Sequence, residues 1–180
     1  MDKLKTLFKG NTTSYYPIVI SQYERDGYSA PDNVDQLHWA IIVVVKERQQ
    51  QGPCWQVYDR HYRDGRVEWA MSAISQATMG NTNKCLGGVR IGFVKAEDLS
   101  QLQQVVVSNN PSVKFTGWNC RDWVMEVITM LKGHNWVTAE INSQAALYPA
   151  MRQAGLATKE LRQKGEQRVQ IVDLFTKDYQ

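Results

Sequence analysis

At 180 residues the chain can bury one core without disulfide staples, and 43% hydrophobic with 22% charged residues is ordinary for a globular protein in water. A net charge of +3, with no concentrated basic face in the sequence, argues against nucleic acid as a partner. Cys54, Cys85 and Cys120 are odd in number and lack the close pairs of a zinc site; this excludes a complete disulfide framework and predicts neither metal nor cofactor.

The first fourteen residues hold basic side chains but no apolar run long enough for a signal peptide. YYPIVISQYE, Tyr15 to Glu24, predicts a strand interrupted near its start by Pro17, and RDGYSAPDN, Arg25 to Asn33, a loop. LHWAIIVVV, Leu37 to Val45, is the strongest strand. It is β-branched on both faces, which predicts a central position covered on two sides. Its AIIVVV run has the length of a strand and not of a membrane span, so the expectation is a chain without a transmembrane segment, cytoplasmic, with reduced cysteines.

Lys46 to Pro53 reads as a polar connection and CWQVYDRH, 54–61, as the next strand. YRDG, Tyr62 to Gly65, signals a tight turn before RVEWAMSA, 66–73, so three successive strands predict an antiparallel meander. Ile74 to Gly88 reads as irregular and VRIGFV, 89–94, as another strand. The GG of CLGGVRIG lacks the pattern and following helix of a phosphate loop. Helices are predicted over 96–108, ended by Asn109, Asn110 and Pro111; over the segment headed by Cys120, stopped at Gly133; and over Ala139 to Ala154, closed by Gly155. RVQIVDLF, 168–175, is a last strand or a docking tail. Strands first and helices later is an α+β signature. The expected organisation is one domain over 1–180, with its core at about 15–155 and peripheral segments at 1–14 and 156–180.

The chemistry concentrates in GWNCRDWVMEVITML, Gly117 to Leu131. Asn119 is a good N-cap, which puts Cys120 at the first helical position, where the positive end of the helix favours a thiolate. Cysteine catalysis needs an imidazole to exchange protons and often a third polar group to orient it. His38 opens the central strand and suits the first role. His61, beside a turn, reads as solvated, and His134, after Gly133, as a neighbour of a helix C-terminus. Cys54 and Cys85 read as packing residues or surface thiols.

The order HWAIIV at 38–43, then NCRDWV at 119–124, resembles the permuted NlpC/P60 branch of the papain-like superfamily. That branch includes the lecithin:retinol acyltransferase-like proteins, whose signatures are an HWA-type strand and an NCEHF-type helix start. NCRDWV is also similar to the NCQDWV element of small fungal proteins. The resemblance covers His38 to about Leu131. It implies an antiparallel sheet packed on helices, Cys120 as nucleophile and His38 as general base and acid. The family's third polar residue lies on the strand after the histidine strand, where a histidine is common. This chain has none at the strand centre and offers Gln56, Asp59 and His61 instead. Alternation separates Gln56 from the other two, and Gln56 is favoured because WQV aligns best.

Trp39, Trp118 and Trp123, which cluster around the His and Cys motifs, are assigned together with Asn119 to the wall of a substrate pocket, with core packing the competing expectation for at least two of the tryptophans. The expected activity is that of a cysteine-dependent hydrolase or acyltransferase acting on a small-molecule, peptide or acyl-donor substrate. The alternatives are an inactive papain-like binding module, or aminoacyl or acyl transfer from an activated carrier in a biosynthetic pathway. Departures from the family pattern are Arg121 and Asp122 in place of an acidic-His pair and an end, IVDLFTKDYQ, without a hydrophobic anchor. The latter weighs against membrane-lipid substrates.

Overall fold

The structure, a computed structural model, describes residues 13–25, 31–137 and 140–174. Its frame is one six-stranded sheet: β1 (Tyr15–Tyr23), β2 (His38–Val43), β3 (Gln51–His61), β4 (Val67–Thr78), β5 (Cys85–Lys95) and β6 (Ile171–Asp173). The spatial order is β4-β3-β2-β1-β5-β6, antiparallel throughout except for the β5–β6 pair. The predicted meander therefore runs through four strands, and β5 returns to the free edge of β1. The helices are α1 (Leu99–Ser108), α2 (Cys120–Lys132) and α3 (Tyr148–Gln163). The α+β expectation holds. No helix among the described residues is long and apolar enough to cross a membrane.

β2 is central, as its β-branched composition requires, and each face of it meets a different core. Trp39, Ile41 and Val43 face the larger cluster with Trp55, Val57 and the α2 side chains Val124, Val127, Ile128 and Leu131. Ala40, Ile42 and Val44 face a smaller cluster holding Cys54, Met79, Cys85 and Val169. A strand covered on both faces has no polar side to present, which explains its uninterrupted apolar run. Pro17 is tolerated because it lies beyond the paired part of β2, whose register with β1 starts at Ile18↔Val43.

Several boundaries differ from the sequence expectation. β3 starts at Gln51 and not at Cys54, and β4 runs through ISQAT to Thr78, because the two strands hold each other in register from His61↔Val67 to Gln51↔Thr78. β5 begins at Cys85, taking in both glycines of the GG pair. A Cβ at Gly87 would meet the Gln170 carbonyl oxygen at 2.3 Å and the Thr158 hydroxyl at 2.7 Å, so this close crossing of strand and helix needs glycine.

The last helix is displaced furthest from expectation. It begins at Tyr148, with Pro149 in its first turn, and passes through Gly155, which is buried in its interior. Gly155 does not terminate the helix. The segment after 155 is accordingly not peripheral: Thr158 and Val169 are buried and β6 completes the sheet. Residue 139, residue 175 and residues 26–30 of the expected loop lie outside the described residues, as do residues 1–12 of the N-terminal segment.

Candidate active site

The head of α2 is built as its sequence requires. Asn119 is the N-cap: its Oδ1 accepts from the Arg121 backbone N–H at 3.0 Å, and its own N–H donates to the Asp122 carboxylate at 2.9 Å. This capping box satisfies donors that a helix start otherwise leaves orphaned. Gln144 donates to the other Asp122 oxygen at 2.7 Å, which fixes the carboxylate from outside the helix. Cys120 opens the first turn and is only 1% exposed.

Two ties draw this helix head onto the start of β2. The Arg121 guanidinium donates to the Leu37 carbonyl at 3.0 Å, and the Trp39 backbone N–H lies close enough to the Cys120 sulfur to favour its thiolate. His38 lies between those anchor points, with its ring close enough to the Cys120 sulfur for each to shift the other's titration. Its Nε2 is 2.8 Å from Gln56 Oε1. An amide oxygen only accepts, so Nε2 carries the proton and Nδ1 is left to serve the sulfur.

The sheet register explains why Gln56 arrives there. Ile41 pairs with Trp55 and Ile42 with Cys54. Continued outward, that register sets His38 opposite Tyr58 and one pleat from Gln56, on the same face. Asp59 and His61 bond each other at 2.8 Å near the rim, and Asp59 also meets Arg25 at 3.7 Å. Of the three polar residues on β3 that the sequence leaves open, Gln56 is the one hydrogen-bonded to the His38 ring.

Burial by itself would push the His38 imidazole down, but the Cys120 sulfur, by hydrogen bond and by charge, and the Gln56 oxygen outweigh it and hold the ring above its ordinary value. Burial would likewise raise Cys120. The His38 hydrogen bond and charge, the Trp39 N–H and the Arg121 charge reverse that and hold the thiol below the ordinary range. The other two thiols go the opposite way. Burial, with the nearby Cys85 sulfur, pushes Cys54 up to about 12, and burial pushes Cys85 up to about 11. Only Cys120 is set up as a thiolate.

Cys120, His38 and Gln56 form the floor of a cleft of about 340 Å³. Its walls are not the expected tryptophans. Trp39 and Trp123 are fully buried and Trp118 nearly so, all in the main core, because each sits on the face of its element that packs between sheet and α2. Trp118 donates to Glu126 at 2.8 Å and Trp123 to the Asn109 carbonyl at 2.9 Å. Asn119 is used as a cap. The cleft is lined instead by Tyr58, Asp59 and Trp69 from β3 and β4 and by Tyr23, Glu24, Arg25 and Lys84 from the β1 and β5 side. Trp69 stands edge-on to Trp118, with ring centroids 5.0 Å apart, so the core tryptophan supports the cleft one. The observed register sets Trp69 opposite Asp59, one residue beyond what counting back from a four-residue YRDG turn gives, so the sequence did not mark it. Arg25 and Lys84 carry no mark either.

A second hollow, of about 360 Å³, lies at the far end of the sheet between Pro17, Val44, Arg90 and Val169, and holds no nucleophile. Among the described residues no three His, Cys, Asp or Glu side chains gather to hold a metal ion.

The sequence of residues 18–173 matches the model of a family of unknown function (DUF6914). The chain belongs to that family. The matched span runs from within β1 to the last residue of β6, so the family's model takes in the whole sheet core together with His38, Gln56 and Cys120. No curated protein and no solved structure matches the chain.

Proposed function

We propose that this protein is a cysteine-dependent hydrolase or acyltransferase with a papain-like site of the permuted NlpC/P60 type. The observation that carries the reading is the His38 ring held between Cys120 and Gln56. It is supported by the chain order, histidine strand before cysteine helix, and by a thiol lowered against its own burial.

The Cys120 thiolate adds to the carbonyl carbon of an ester, thioester or amide, and the carbonyl electrons move to oxygen. Backbone N–H donors at the start of α2 favour that oxyanion. Collapse breaks the bond to the leaving group, which takes the proton from His38 Nδ1 and leaves a Cys120 thioester. Water, or an acceptor amine or alcohol, then gives a proton back to His38 as it attacks the thioester, and the Cys120 thiolate departs. Hydrolysis and transfer differ only in that second nucleophile, so an activated acyl or aminoacyl carrier fits the same site.

The test is alkylation of Cys120 by iodoacetamide at neutral pH, followed by mass spectrometry. We expect Cys120 to label well ahead of Cys54, Cys85 and a free peptide thiol, and Cys120→Ser to abolish acyl-enzyme formation from 4-nitrophenyl acetate. Labelling no faster than the peptide thiol would overturn the reading. A binding-only role draws on Gln56, which cannot stabilise imidazolium as a carboxylate does. That slow-labelling outcome would favour it.

A further inference from the structure

The two walls of the cleft differ in chemistry. On the β3–β4 side stand Trp69 and Tyr58; on the β1–β5 side stand Arg25 and Lys84, with the His38–Cys120 pair between them. Arg25 lies close enough to His38 for its charge to act on the ring. Its only ion pair among the described residues is the 3.7 Å approach to Asp59, with 43% of the Arg25 side chain and 29% of that of Asp59 open to solvent. Asp59 has a shorter bond, 2.8 Å, to His61. Asp59 therefore keeps a partner when Arg25 turns away, and a long, wet ion pair holds Arg25 only weakly. The Lys84 ammonium forms no ion pair among the described residues. The Glu24 and Asp59 carboxylates also line the cleft, and of the two only Asp59 is ion-paired with a lining cation among the described residues.

We infer that the acyl compound attacked by Cys120 is an anion, with a carboxylate or phosphate gripped by Arg25 and Lys84 and an apolar, flat portion lying against Trp69 and Tyr58. This rests on the thiol-acyl reading above and adds to it the class of substrate. Two cations on one wall match the charge and fork geometry of such groups, the guanidinium as a bidentate donor and the ammonium as a point charge. The aromatic wall supplies apolar contact to the rest of the molecule, and the cleft volume of about 340 Å³ limits the part enclosed to a small acyl compound or the end of a larger one.

Two alkylating agents of nearly equal size separate the anion grip from the nucleophile. Iodoacetate carries the negative group and iodoacetamide does not. The rate ratio of iodoacetate to iodoacetamide at Cys120 is expected to exceed that of a free peptide thiol and to fall roughly twofold to fivefold in each of Arg25→Gln and Lys84→Gln, the size of a partly exposed charge contact. A ratio unchanged in both variants overturns the inference. If iodoacetamide labels Cys120 fast with such an unchanged ratio, the nucleophile reading stands and the anion grip alone falls.

A second measurement does not need the thiol. Calorimetry on Cys120→Ala protein should give tighter binding of 4-phenylbutyrate or phenyl phosphate than of neutral 4-phenylbutyramide, weakened by Lys84→Gln. The tighter of the two anions identifies the head group. Equal binding of anion and amide overturns the inference. Slow alkylation together with Lys84-dependent anion binding upholds the grip and removes the nucleophile.

Discussion

Gln56 Oε1 lies 2.8 Å from His38 Nε2, and the His38 ring in turn lies close enough to the Cys120 sulfur for each to shift the other's titration. A neutral amide oxygen thus stands where a charged or ionisable partner would do more for an imidazolium. It sets the ring's orientation and tautomer without contributing a full charge. The lowered thiol and the raised imidazole consequently depend mainly on each other.

That dependence fixes the pH behaviour. The Cys120 thiol is lowered, so the thiolate persists as pH falls below the ordinary cysteine value of about 8.5. The His38 imidazole is raised, so the imidazolium persists as pH rises past its ordinary value. Both shifts move the couple toward the thiolate–imidazolium form, whose population rises as Cys120 loses its proton and falls as His38 loses its own. The iodoacetamide rate at Cys120 should therefore show a step or shoulder on the acid side of the step of a free thiol. His38→Ala should move the step up toward and beyond the ordinary thiol value, since burial of Cys120 is then unopposed by the ring. A profile identical in wild type and His38→Ala would contradict the pairing.

Gln56→Ala should slow acyl transfer on the order of tenfold to a hundredfold by freeing the ring to rotate, with little change in substrate affinity. Gln56→Glu replaces the oxygen by a charged acceptor and should move the basic limb of the pH profile upward, because a carboxylate favours imidazolium more than an amide does. NMR titration of His38 in the two variants, set beside steady-state rates, reads both effects. Equal His38 titration in wild type and Gln56→Glu would count against contact through Nε2.

Asn119→Ala removes the N-cap oxygen from Arg121 N–H and should cost about 1 kcal/mol in a urea unfolding experiment. The helix head that carries Cys120 loosens with it, so Cys120 alkylation should slow as well. Asn119→Ser keeps a capping oxygen and should restore most of both. A stability loss without any change in thiol reactivity would mean that the ties at Leu37 and Trp39 hold the cysteine without help from the cap.

Gly87→Ala tests the crossing of α3 and β5. The backbone there has φ +82° and the added methyl would meet Gln170 and Thr158 atoms well inside contact distance. The expected loss is on the order of 1–3 kcal/mol. Gly87 does not itself line the cleft, so the iodoacetamide rate of the folded fraction should stay near that of the wild type.

Much of this architecture was legible in local pattern. The β-branched run at 40–45 marked a strand covered on both sides, and Asn119 before an amphipathic segment marked a helix start with Cys120 in its first turn. The alternation of β3 separated Gln56 from Asp59 and His61. These are short-range properties: they follow from strand and helix periodicity and from capping chemistry. Gly155 misled because a glycine in a polar context reads as a helix stop, whereas α3 carries it buried in its interior, and sequence does not show burial.

Tertiary structure decided the rest. Trp39, Trp118 and Trp123 sit near the motifs in sequence, yet the burial of apolar area between sheet and α2 takes them into the core and leaves Trp69, two strands away from His38, to wall the cleft. Arg25 and Lys84 come to the same side of that cleft only because β5 returns to the edge of β1. The residues of the His38–Cys120 pair are 82 positions apart, and only strand register and the ties from α2 to Leu37 and Trp39 bring ring and sulfur together. Local sequence determined which side chains were fit for the chemistry; long-range packing, which no periodicity encodes, decided which of them met.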